Sequence, residues 1–139
     1  MKNEIVLLLR GVKDEYALFN YAVELSRKLS CALTLVHVID NPKESARILN
    51  LNVNDAVSAR ESAARENINA WRMSVDEMPG METLVIDETH DDIDDWLNTR
   101  DVNLVIVGHH QYIVDFSLAN QLIKKLQTPV LIYPLGGGL

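Results

Sequence analysis

Gly108-His109-His110-Gln111 follows the apolar run Leu104 to Val107. In parallel α/β sheets, this is where a strand passes into a ligand-binding loop. Glycine lets backbone N–H groups approach a ligand closely, and histidine offers proton transfer or metal ligation. Metal ligation fails on direction. Neighbouring residues of an extended chain point opposite ways, so His109 and His110 do not converge on one ion. Zinc needs three or four converging ligands, and only His37 and His90 remain, His37 within a strand-like run. No metal site is expected. One histidine is read as hydrogen-bonded to loop backbone and the other as solvated. Ser117 stands at a loop-to-helix junction without G-x-S-x-G around it, and neither nucleotide-loop signature (G-x-G-x-x-G or G-x-x-x-x-G-K-[ST]) is present. The acidic run Asp87, Glu88, Asp91, Asp92, Asp94, Asp95 lacks calcium-loop spacing and reads as a solvated helix start. The helix dipole favours acids there by about 0.3–1 kcal/mol each. No nucleophile, base and oxyanion donors converge, so no enzyme is expected.

The elements that position these residues alternate. Ile5 to Leu9 is continuously apolar, as in a strand covered on both faces. Phe19, Ala22, Val23 and Ser26, with Leu18, Leu25 and Leu29 beside them, then recur at helical spacing, and Cys31 to Asp40 reads as a second strand, with Cys31 a buried thiol. Asn41 to Asn54 reads as an irregular connection. Asn54 is expected to cap a helix over Asp55 to Val75, striped by Val57, Ala64, Ile68, Trp71 and Val75. Pro79-Gly80 stops it before a third strand, Met81 to Asp87. Thr89 is placed to cap a short helix with Ile93, Trp96 and Leu97 inward. Leu104 to Val107 is the fourth strand, Leu118 to Leu126 the last helix and Pro129 to Tyr133 the fifth strand. This order predicts an α/β fold: a doubly wound, five-stranded, mostly parallel sheet with helices on both faces. Residues 1–135 form one domain and 136–139 a flexible Gly-rich tail.

Composition narrows the function. The chain has 139 residues, 47% of them hydrophobic, enough for one domain with a full core. A net charge of −7 without a Lys/Arg run argues against a nucleic-acid partner. One cysteine excludes an internal disulfide. The apolar runs are too short to span a bilayer, and the N-terminal one is shorter than a signal-peptide core. A cytoplasmic protein without a membrane contact is expected.

The order of elements, "LTLVHVID" in the second strand, and "LVIVGHHQ" with "PVLIYPL" near the end together resemble the universal stress protein family, most of all its universal stress protein A-like branch. The resemblance implies an adenine nucleotide alpha hydrolase-like, Rossmann-like fold. ATP-binding members of that family carry an Asp at the end of the first strand. After the fourth strand they carry Gly-x-x-Gly, nine residues, then Gly-Ser or Gly-Thr. Here Arg10 replaces the Asp. Gly108 matches the first glycine, Gln111 replaces the second, and Gln121-Leu122 replace the last pair. The resemblance therefore implies a branch lacking the ATP motif, with no cofactor. It also implies a homodimer formed by last strands side by side, through Val130, Leu131, Ile132 and Tyr133, with Tyr133 and Leu135 burying the join. The leading reading is a non-enzymatic stress-response protein acting through partners the sequence does not name. The alternative is a nucleotide or small-ligand sensor with a rewired pocket lined by Arg10, Val38, Gly108 and His109.

Overall fold

A computed structural model describes residues 3–40, 53–86, 91–110 and 126–135. Strands β1 (Glu4–Leu9), β2 (Ala32–Asp40), β3 (Gly80–Ile86), β4 (Leu104–His110) and β5 (Val130–Leu135) form one sheet in the order β3-β2-β1-β4-β5. Every pairing is parallel. β1 is central, and its five apolar residues are all buried, which is why its sequence shows no alternation. The chain passes from β1 to β2 on one side and later to β4 on the other, so the topological switch point lies between β1 and β4.

Pleating divides the core in two. Ile5, Leu7 and Leu9, with Leu33, Leu35 and Ile106, pack against helices α1 (Tyr16–Leu29) and α2 (Val53–Met73). Val6 and Leu8, with Val36, Val38, Val105 and Val107, pack against α3 (Asp91–Asn98) through Ile93 and Leu97. The helices therefore lie on both faces, as the alternation predicts. A 3-10 turn, Lys13–Glu15, leads into α1. α1 ends with Ser30 in the left-handed region at φ 54°, where the Cys31 N–H donates to the Ser26 carbonyl at 2.9 Å.

Several details differ from expectation. Strand β2 begins at Ala32. Cys31 falls in the preceding turn and is half-buried, with Asn103 Nδ2 donating to its Sγ at 3.6 Å. Helix α2 begins at Val53, which puts Asn54 inside it rather than at its cap. Asp94 is buried and not solvated, because it lies between Ile93 and Leu97 on the inward side of α3. Strand β4 runs three residues past Val107, since Gly108, His109 and His110 pair with Tyr133, Pro134 and Leu135. The two histidines thus belong to a strand and not to a loop. Strand β5 accordingly runs on to Leu135. The Asn41 to Asn52 connection, Thr89, Gln111, Ser117, most of the last helix, Gln121-Leu122 and the tail lie outside the described residues.

Candidate functional site

The switch point puts the carboxyl ends of β1, β2 and β4 at one level. Leu9 pairs with His37, and Leu8 with Val107, so Arg10 leaves β1 beside the start of Gly108-His109. The four proposed lining residues are neighbours in register but have different surroundings. Arg10, Gly108 and His109 are half-buried. Val38 is 3% exposed and packed in the core facing α3.

The residue sequence reasoning missed is Glu15. It is 3% exposed and reaches back from the 3-10 turn to the end of β1. Its Oε1 accepts the Gly11 N–H at 2.7 Å, the Arg10 N–H at 3.0 Å and the Val12 N–H at 3.1 Å. Its Oε2 also accepts from Arg10 N–H, at 3.0 Å. Gly11 makes this possible. Its φ of +85° turns successive N–H groups toward one point, a conformation that suits glycine. Burial pushes the Glu15 carboxyl above the ordinary glutamate value, and this outweighs the opposing pull of the three N–H groups and the Arg10 charge. Glu15 makes the glutamate half of a capping box to the Val12 N–H; Val12 has no side-chain acceptor, and the Glu15 N–H donates to the Val12 carbonyl instead, at 3.0 Å. A glutamate three residues past the start of a turn, preceded by glycine, is the sequence signal that would have found it.

Helix α2 closes the same loop from outside. Asn67 Nδ2 donates to the Gly11 carbonyl at 2.7 Å. A Cβ on Gly11 would lie 2.6 Å from the Ala64 Cα. The loop's amides, its carbonyl and the space beside its glycine are all taken by the chain itself.

Gly108, the glycine retained from the nucleotide pattern, also has a neighbour in its own chain. A Cβ there would lie 2.9 Å from Leu135 Cγ and 3.1 Å from Leu18 Cδ2. Leu135 is 3% exposed and belongs to the core facing α1, so it does not extend an outer surface for a second copy. Among β5's other residues, Ile132 is 37% exposed, and Tyr133 packs at a tilt against Tyr21 of α1 with ring centroids 5.2 Å apart. Among the described residues, no cluster of His, Cys, Asp or Glu is arranged to hold a metal, and no helix is long and apolar enough to cross a membrane.

The parallel 3-2-1-4-5 sheet, with its ligand end between β1 and β4, sets what the chain can be compared with. The universal stress protein family model matches residues 1–134. The chain belongs to the universal stress protein family. Its fold is shared by hypothetical protein MJ0577, at 19% identity and TM-score 0.71, covering 99% of each chain. A family member from Burkholderia pseudomallei has 16% identity and TM-score 0.69, covering 96% of each. A universal stress protein from Archaeoglobus fulgidus, solved in complex with dAMP, has 18% identity and TM-score 0.56, covering 98% of each. No curated protein matches the chain. At these identities the likeness establishes the fold and not the ligand.

Proposed function

We propose that this universal stress protein is a non-enzymatic, cytoplasmic stress-response protein that does not bind ATP and acts as a homodimer through protein contacts. The observation that carries this reading is the self-saturated loop at the end of β1, Arg10 to Val12. Where ATP-binding members carry an Asp, this chain has Arg10. The adjoining amides are taken by Glu15, and the space beside Gly11 is taken by Ala64. A nucleotide entering there would displace a buried carboxylate from three N–H groups. The packing of Leu135 against Gly108 supports the same reading, because that glycine serves the core. Titration calorimetry with Mg·ATP is expected to show no saturable binding in the micromolar range; a clear isotherm would overturn the proposal.

The dimer rests on β5. It is one of the two edge strands of the described sheet, with Ile132 exposed and Val130, Leu131 and Tyr133 only partly buried, and apolar edge strands associate unless covered. Ile132→Asp is expected to convert a dimer to a monomer in light scattering. An unchanged mass would place the interface elsewhere. The dAMP complex of the Archaeoglobus fulgidus protein favours a second reading, a nucleotide or small-ligand sensor with Arg10 and His109 at a rewired mouth. Native mass spectrometry of the purified protein separates the two, since the sensor reading requires a retained ligand.

A further inference from the structure

We propose that Glu82, pinned by Arg100, closes the β3 edge of the sheet against pairing with a second copy of this chain. The two edge strands are built differently. β5 reads Val-Leu-Ile-Tyr-Pro-Leu and carries no charge, whereas β3 carries Glu82 within Gly80–Ile86. Its other residues, Met81, Thr83, Leu84, Val85 and Ile86, are uncharged and mostly strand-favouring, the composition of an edge that adds further strands. Glu82 is the one interruption.

A loose glutamate could swing away from an arriving strand, but this one is held. Arg100 Nη1 donates to its Oε1 at 3.2 Å and Nη2 to its Oε2 at 2.6 Å. Arg100 is fixed in turn. Its Nε and Nη2 donate to the two Glu4 oxygens at 3.0 Å each, and its guanidinium lies over the Trp96 ring. Glu82 pairs with Val36, which belongs to the core facing α3, so the carboxylate is held on that side of the edge. A strand added to β3 would set its side chains about 4.5–5.5 Å from those of β3. It would cover a side chain that is now 43% exposed, and strip water from a charge that cannot turn away. A second copy's β3, added with two-fold symmetry, brings another carboxylate to the same face. The start of the strand is closed separately. Pro79 has no N–H to offer, and its carbonyl accepts from Arg72 Nε at 2.6 Å. The sheet thus has one edge free of charge and one edge guarded, so association through β5 would end at a closed pair and not run on as a chain. The inference concerns β3 and holds whether or not β5 pairs.

Light scattering of the full chain over a range of concentrations tests it. Glu82→Val is expected to raise the mass about twofold or more over the wild type, and further as concentration rises. Glu24→Val, the same exchange at an exposed position of α1, should keep the wild-type mass. Exchange of the Met81 to Leu84 amide protons should slow in Glu82→Val as the larger species forms. A wild-type mass for Glu82→Val overturns the proposal. So does equal growth in Glu24→Val, which would mean general stickiness, and so does unchanged exchange along β3. Placed in the Ile132→Asp background, Glu82→Val should again about double the mass of that background. No increase there counts against the guard, so failure of the β5 interface and failure of the β3 guard give different results. If Glu82→Val does not fold, Glu82→Thr takes its place with the same expectation, and a wild-type mass there overturns the proposal.

Discussion

Glu4 and Glu15 sit near opposite ends of the central strand and are held by opposite chemistry. At the amino end, Arg100 bridges two strands. Its Nε donates to Glu4 Oε1 at 3.0 Å, its Nη2 to Glu82 Oε2 at 2.6 Å, and its guanidinium lies 4.4 Å from the Trp96 ring centroid. Thr34 Oγ1 donates to Glu4 at 2.7 Å. The Arg100 bonds hold the Glu4 carboxyl below its ordinary value. At the carboxyl end, Glu15 is held by backbone N–H groups in near-complete burial, and its carboxyl is pushed up. One carboxylate is stabilised by a formal charge that water partly reaches. The other is stabilised by dipoles that only this loop conformation aligns. The first tolerates motion of side chains, and the second requires a fixed backbone.

That contrast is open to attack from the backbone side first. Gly11→Ala adds a Cβ against Ala64 at a positive φ, where neither strand nor helix can yield cheaply. Overpacking and left-handed strain together are expected to cost about 3 kcal/mol or more, read as a fall in the urea midpoint. A loss below about 1 kcal/mol would mean the loop is not fixed.

Removing the guanidinium attacks the other end. Arg100→Ala leaves Glu4 and Glu82 facing each other across β2 and uncovers Trp96. The expected loss is about 1–2 kcal/mol, because the bonds are charge-assisted but the groups are partly solvated. Arg100→Lys should recover only part of it, since an ammonium cannot reproduce the fork that spans two carboxylates. Full recovery would reduce the clamp to a simple charge.

The smallest effect is the most diagnostic, because its sign differs between the ends. Glu4 has a lowered folded value, so its contribution is present above the ordinary glutamate value and is lost as pH falls through the folded one. Glu15 has a raised folded value, so its contribution is present below the ordinary value and is lost as pH rises through the folded one. Stability against pH should therefore flatten on the acid side in Glu4→Gln. In Glu15→Gln it should flatten just above the ordinary glutamate value. Curves that change in the same direction would erase the distinction.

The sheet was legible because its signals are local. The unbroken apolar run of Ile5 to Leu9 matches a strand buried on both faces, and the spacing of Leu18, Phe19, Ala22 and Val23 matches one helical stripe. The end of β4 was not legible, because Gly108-His109-His110 becomes strand only by pairing with Tyr133, Pro134 and Leu135 far along the chain. Strand order and register bring the start of Gly108-His109 beside Arg10. What fills that place was hidden, since a capping-box glutamate reads as ordinary helix chemistry until the glycine before it turns three amides onto its oxygens.

The contact between Gly108 and Leu135 bears on how this chain would evolve. Position 108 is held to glycine by a leucine at the end of another strand, whatever becomes of any ligand. Descendants would keep that glycine after all trace of nucleotide recognition had gone. Its presence in a motif search would then record the history of a packing constraint. Building a nucleotide site at this mouth would demand changes at Arg10, Glu15 and Ala64, in three separate segments, and not the repair of one short signature.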